Sequence, residues 1–230
     1  MGFPNAVRLQ PEVGVPGTRA SMNPISVISR VAQTPVTVGR FVWPGTDTDG
    51  QVQNTGAGKV LGFAITDQVG VIPNYLQEYS MVVPAGMAVQ VAEQGEWFAS
   101  SANVATLGQK VYANYGDGSL SFGATGSAST NAGITANTAS NTTLTVTANT
   151  GAPIQVGQPV SGSGIPAGTY IAAFGTGTGG AGTYTLSQAA TATATGVTVT
   201  STTNVETQFV VTRGGAANAV IKISTWSNLA

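Results

Sequence analysis

From Gly118 to Val205 the chain contains no Asp, Glu, Lys or Arg. This constrains the fold more than any other feature of the sequence. The outer surface of such a segment is kept wet by hydroxyls, side-chain amides and backbone alone. Thr, Gly, Ala and Ser dominate it, with Val and Asn among the rest. Thr and Val favour strands, because a branched Cβ packs well on a pleated surface. Disordered segments usually combine high net charge with few β-branched residues, and this composition has neither property. It is also too rich in Gly, Thr, Ser and Asn for a membrane helix. Short strands with glycine turns remain, their exposed faces wetted by threonine.

Runs of that kind recur through the segment. TTLTVTA (142–148), PIQVGQPVSG (153–162), GTYIAAFG (168–175), GTYTLS (182–187) and GVTVTS (196–201) follow one another at a spacing of about 10 residues, the pattern of a small β-sandwich. GATGSASTNAG (123–133) reads as a linker or loop leading into it. On either side, charged residues return. TPVTVGRFVWP (34–44), GKVLGFAITDQ (58–68) and SMVVPAGMAVQVAEQGEWFAS (80–100) read as strands, the last as two around Pro84-Ala85-Gly86. QKVYANYGDGSLSF (109–122) reads as a hairpin with an Asp-Gly turn. No run of ten or more residues keeps a 3.6 period, so little helix is expected. The chain thus divides into a body, 35–125 plus 203–230, and a β domain inserted at 130–202 and projecting away from it. Phe122 and Phe209 belong to strands of the same body, which requires the two ends of the insert to lie close together.

Residues 1–34 carry Pro4, Pro11, Pro16 and Pro24. Proline lacks an N–H and fixes φ, so a central strand or long helix is not expected there, and an extended N-terminal arm is. Up to residue 46 the arm and its surroundings carry Arg8, Arg19, Arg30 and Arg40 against Glu12 alone. Residues 47–117 carry seven acids, Asp47, Asp49, Asp67, Glu78, Glu93, Glu96 and Asp117, against Lys59 and Lys110. A basic arm on an acidic body suits arm-to-neighbour contacts; scattered solvated charge is the plainer reading.

The chain has no Cys and no His, which excludes disulfides, thiolate chemistry and imidazole ligands or proton shuttles. With a net charge of −1, nothing points to nucleic acid. MGFPNAVRLQ has no apolar signal core, and Ala6 stands where myristoylation needs Ser or Thr. The motifs that remain are weak. Gly175-Thr-Gly177-Thr-Gly179-Gly180 spells GxGxxG, but a strand follows it where the dinucleotide fold needs a helix. Asp47-Thr-Asp49-Gly50 resembles the start of a calcium loop, yet Val52 and Gly58 stand where Gly and Glu are required. Glu93 and Glu96 beside Trp97 suggest a glycosidase pair, and equally two solvated turn charges. Serines lack a histidine to activate them, and Asn141-Thr-Thr143 is only a formal sequon. Trp43, Trp97, Phe98 and Trp226 read as core or interface anchors. No catalytic residue, metal ligand or cofactor is expected.

Longer segments carry a resemblance. MGFPNAVRLQPEVGVPGTRASMNP (1–24), VTVGRFVW (36–43), YLQEYSMVVPAGMAVQV (75–91), GEWFAS (95–100), GQKVYANYGDGSLSF (108–122), VETQFVV (205–211) and VIKIS (220–224) resemble, in order, the structural cement proteins of tailed bacteriophages, podovirus type. Residues 133–201 resemble instead a small β module of phage fibre and head-decoration proteins.

The resemblance implies an all-β fold: a jelly-roll or β-barrel-like body with an extended arm and an inserted β-sandwich. It implies a non-enzymatic decoration protein on the outer face of the virion capsid, made in the bacterial cytoplasm. Such a protein bridges major capsid protein subunits against internal DNA pressure. The expected partners are the phage major capsid protein and further copies of the chain, a dimer in preference to a trimer, with neither nucleic acid nor membrane. Phe3, Arg8, Arg19 and Arg30 are the expected capsid contacts. The alternative is a head-fibre or adhesin-like protein whose insert makes weak contact with host glycans through stacking faces at Tyr170, Phe174 and Tyr184.

Overall fold

The computed structural model describes residues 14–66 and 81–227. Seven strands come first: β1 (Ser26–Ala32), β2 (Val36–Thr37), β3 (Phe41–Pro44), β4 (Gln51–Gln53), β5 (Gly62–Ile65), β6 (Val82–Val83) and β7 (Ala88–Gln94). Five of them close a barrel in the order β1-β4-β3-β5-β7, and β2 pairs with β6 beside it. The side-chain alternation of a strand explains why β3 and β5 read as unbroken apolar runs. In FVW and FAI, Val42 and Ala64 turn into one core with Val52, Val89 and Val91. Phe41, Trp43, Phe63 and Ile65 turn the other way, into a second core. Both faces of these strands are buried, so neither keeps polar residues.

The second core is shared with a five-stranded sheet. β8 (Glu96–Ser100), β9 (Lys110–Asn114) and β10 (Leu120–Gly123) lead into it. The chain then makes β11 (Thr130–Thr138), β12 (Thr143–Asn149), β13 (Val160–Gly162), β14 (Ile171–Phe174), β15 (Gly182–Leu186) and β16 (Ala194–Thr202). It returns as β17 (Asn204–Arg213) and β18 (Val220–Ser224), giving the order β10-β9-β17-β18-β8. Phe41, Phe63 and Phe209 meet between barrel and sheet, with ring centroids 5.3, 5.6 and 6.2 Å apart. Each such pair adds about 0.5–1.5 kcal/mol beyond its buried area.

β11 to β16 form a sheet of their own, ordered β13-β16-β11-β12-β15-β14. A bridge between Pro159 and Tyr170 ties together the segments that enter its two outermost strands. The sheet curls around Ile134, Leu144, Ile154, Ile171 and Tyr184, so the sandwich pattern is realised as one curled sheet with its own core. Its first and last strands pair at Thr130 and Thr202, which sets the two chain crossings side by side. The architecture is all-β, with a barrel and curled sheets, and among the described residues there is no helix.

Several local expectations are corrected. Residues 26–32, assigned to the arm by proline spacing, form a barrel strand that pairs antiparallel with β7 and parallel with β4. The prolines all precede Ile25, and SVISRVA has an N–H to donate at every position. Residues 14–20 are also tied to the body, along the edge of β8. Gly17 and Ala20 donate to the carbonyls of Phe98 and Glu96 at 2.7 and 2.9 Å, and Phe98 donates to Thr18 at 2.9 Å. Residues 34–44 break into two strands where Gly39 takes a left-handed φ of 79°. The run 80–100 holds three strands rather than two. The segment read as a linker becomes β11 from Thr130 onward.

Candidate interaction surfaces

The residue groups with any chemical pretension are taken up by the fold. Glu96 faces Lys222 across the β8–β18 pair, with 3.1 Å between carboxylate oxygen and ammonium nitrogen. Burial pushes the Glu96 carboxyl up. Hydrogen bonds from Ser21, Lys222 and Ser224, with the charge of Lys222, outweigh that and hold it below its ordinary value. A general acid needs the opposite shift. Glu93 accepts a hydrogen bond from the Ser26 hydroxyl at 3.0 Å, which fastens β7 to the start of β1. Asp47 accepts from the Asp49 amide at 3.2 Å in an exposed turn. Among the described residues no three acids, His or Cys stand close enough to hold a metal ion. The GxGxxG stretch is the β14–β15 turn, packed against the Tyr184 ring at Gly177.

Of the four expected capsid contacts, two fall among the described residues, Arg19 and Arg30. Phe3 and Arg8 lie outside the described residues. Arg19 sits opposite Trp97 beside β8, its guanidinium donating to the Asn23 carbonyl at 2.6 Å. Arg30 is on β1, where one nitrogen donates to the Ser29 carbonyl at 3.1 Å while Nε is buried without a partner. Of the three aromatic faces, Tyr170 and Phe174 are exposed, Phe174 to 42%. Tyr184 is a correction: at 1% exposure it cannot present a face. Its hydroxyl accepts from the Gly179 amide at 2.9 Å and donates to the Gly180 carbonyl at 2.6 Å. In GTYTL the alternation sets Thr183 and Thr185 on one side and Tyr184 with Leu186 on the other, which is the buried one.

One surface was only half legible. Trp226, an anchor from its residue type, is 48% exposed, with its indole N–H donating to the Pro24 carbonyl at 3.0 Å. That bond staples residues 202 positions apart. Ile25 follows directly and packs beside Gly95, whose carbonyl accepts from the Thr225 amide. Met22, 89% exposed, stands two residues before Pro24. Trp226 and Ile25 therefore stand together at the start of β8, with exposed Met22 three residues earlier in the chain. Nothing in the local sequence joins these segments; the β8–β18 pairing, the bonds of residues 17–20 to β8 and the Trp226–Pro24 bond do.

The described part of the body thus holds two apolar cores and an exposed tryptophan fixed by a hydrogen bond. Comparison with known families carries this further. Residues 3–156 match the family described as structural cement protein (E217 gp24/Pam3 gp6). The match covers most of the chain, which belongs to this family of phage structural proteins. It runs past the end of β10 and through β11 and β12. Among solved structures, the chain is similar to one in the capsid of Myoviridae phage XM1. The two share 15% identity and a TM-score of 0.45, and 98% of each chain is covered. No curated protein matches the chain.

Proposed function

We propose that this protein decorates the outer face of the phage head and bridges neighbouring major capsid subunits, stabilising the shell against the pressure of packaged DNA. The observation that carries the reading is the patch of Ile25 and stapled Trp226 in a chain of the cement family. An aromatic held in place before binding loses little entropy when a partner covers it. Phe3, Arg8, Arg19 and Arg30 are the further contacts of this reading. The chain acts as a homo-oligomer, a dimer in preference to a trimer, with the basic N-terminal residues against an acidic neighbour. In this reading the fibre-like insert, 130–202, points away from the shell.

Co-sedimentation with heads that lack the protein tests this. Trp226→Ala should weaken binding by about 2 kcal/mol, roughly thirtyfold. Phe174→Ala, on the insert, should leave it unchanged. Equal sedimentation of wild type and Trp226→Ala would remove the patch from the interface.

A second reading has one observation in its favour. Phe174 is exposed while its ring is steadied edge-on by buried Tyr184, 5.8 Å away. Such a ring suits weak stacking on a sugar of the host surface. Retention of the wild type but not of Phe174→Ala on a glycan array is the expected result for that role.

A further inference from the structure

The insert and the body have separate cores. The clusters around Phe41 and around Val42 contain no residue of 130–202, and the cluster around Ile134 contains only such residues. At its base the insert is joined through two neighbouring crossings. The Thr203 amide donates to the Ser129 carbonyl, and the Ser129 amide to the Asn204 side chain, both at 2.8 Å. Two adjacent crossings are by themselves a hinge.

A second contact lies beside that base, where the Thr202 amide donates to the Pro159 carbonyl at 2.9 Å and the Tyr115 amide to the Thr203 carbonyl at 3.2 Å. In the insert, the loop 152–158 is fastened to its own sheet: Ile154 donates to Gly179 at 2.9 Å and Gly157 to Ile171 at 2.8 Å. Its outer side meets the body at glycines. Gly157 has a left-handed φ of 89°, and a Cβ there would overlap the carbonyl oxygen of Gly56. The hydrogen in that place points at the oxygen, the geometry of a weak Cα–H···O contact. Two residues earlier, the Gln155 side chain lies against Gly116, where a Cβ would stand 2.7 Å from Cγ. The body side of the socket is rigid. Gly56 packs on the Trp43 side chain, whose ring lies 5.9 Å from that of Tyr115. Gly118 closes against Phe41, and its carbonyl accepts from the Phe41 amide at 2.8 Å.

We propose that this glycine socket is an orientation lock: it stops the hinge and holds the insert on the body as a rigid mast. Backbone against backbone covers little apolar surface, so the socket adds little to the stability of either core. What it supplies is a third fixed point beside the two crossings. On a decorated surface every copy would then present its insert at the same angle. The lock is intramolecular and does not depend on what the body binds.

The chain contains no cysteine, so two can be introduced cleanly for spin labels, at Ser29→Cys on β1 and Ala172→Cys on β14, both exposed. The otherwise unaltered protein should give one narrow distance distribution. Gly157→Ala should broaden it about twofold, as expected for a released hinge. Gly196→Ala is the control: it has the same handedness of strain, with φ 65°, but open space around it, and should leave the distance narrow. Both variants should melt at similar temperatures. Gly116→Val, whose Cβ would meet the Gln155 side chain first, should shift the mean distance without a left-handed backbone strain, and it decides the matter if Gly157→Ala does not fold. A broad distribution in the unaltered protein, or an unchanged one in Gly116→Val and in a folded Gly157→Ala, would overturn the lock. So would a melting temperature that falls far more in Gly157→Ala than in Gly196→Ala while Gly116→Val leaves the distance unchanged.

Discussion

Glu96 shows how a residue with catalytic credentials becomes structural. Its neighbours Ser21, Lys222 and Ser224 come from the N-terminal segment and from β18, and they hold the carboxyl ionised below its ordinary range. The sign of the consequence is fixed. A carboxyl whose folded pKa lies below its unfolded value near 4.5 contributes stability that is complete above that value. The contribution is lost as pH falls through the folded pKa. Urea midpoints measured from pH 6 down to pH 3 should therefore fall more steeply in the wild type than in Glu96→Gln, with the curves converging at the acid end. Parallel curves would show that the pair does not stabilise the fold. No local signal marks this pairing, because Lys222 meets Glu96 only after β18 has been laid against β8. Tyr184 is a different case: it alternates with Thr183 and Thr185 and shares the buried side of β15 with Leu186, which the strand period signals locally.

At the scale of elements, the β9–β10 hairpin was readable because its information is local: alternation on both sides of Gly116-Asp117-Gly118. Asp117 reinforces it by accepting from the Ser119 amide and hydroxyl at 3.0 and 2.7 Å and from Arg40 at 2.9 Å. β1 was missed because prolines up to residue 24 drew the arm too far. The correction changes what a truncation should do. Residues 14–20 donate to and accept from β8, and Thr66 donates to the Gly17 carbonyl at 3.0 Å. Deleting 2–24 removes those bonds and uncovers the edge of β8. It should lower unfolding free energy by about 2–4 kcal/mol, at about 1 kcal/mol for each net hydrogen bond. Deleting only 2–13 leaves the same bonds in place and should leave the urea midpoint nearly unchanged. Capsid binding by these two proteins then separates a fold defect from a lost contact. Equal midpoints for both would show that the β8 edge strand-like segment is dispensable.

For the whole molecule, the charge-free stretch is the clearest case of global organisation written locally. Its boundaries at Asp117 and Glu206 bracket the curled sheet, whose core is separate from the body's. Threonine and glycine were enough to predict strands and turns there. They were not enough to distinguish a two-layer sandwich from one sheet that curls shut, since both have the same alternation. The socket at Gly56, Gly116 and Gly157 was equally hidden, because a glycine that permits close approach reads like any turn glycine.

In the proposed function the chain cements the shell. A ligand that binds the assembled lattice and not dispersed subunits stabilises the lattice by mass action, by about 2.7 kcal/mol at a free concentration one hundred times its dissociation constant. The direct measurement is the temperature at which heads release DNA, with the protein removed and with it added back. Stripped heads should release DNA at a lower temperature, and wild-type protein, but not Trp226→Ala at the same concentration, should restore the original value. The same release temperature in stripped and decorated heads would contradict the account.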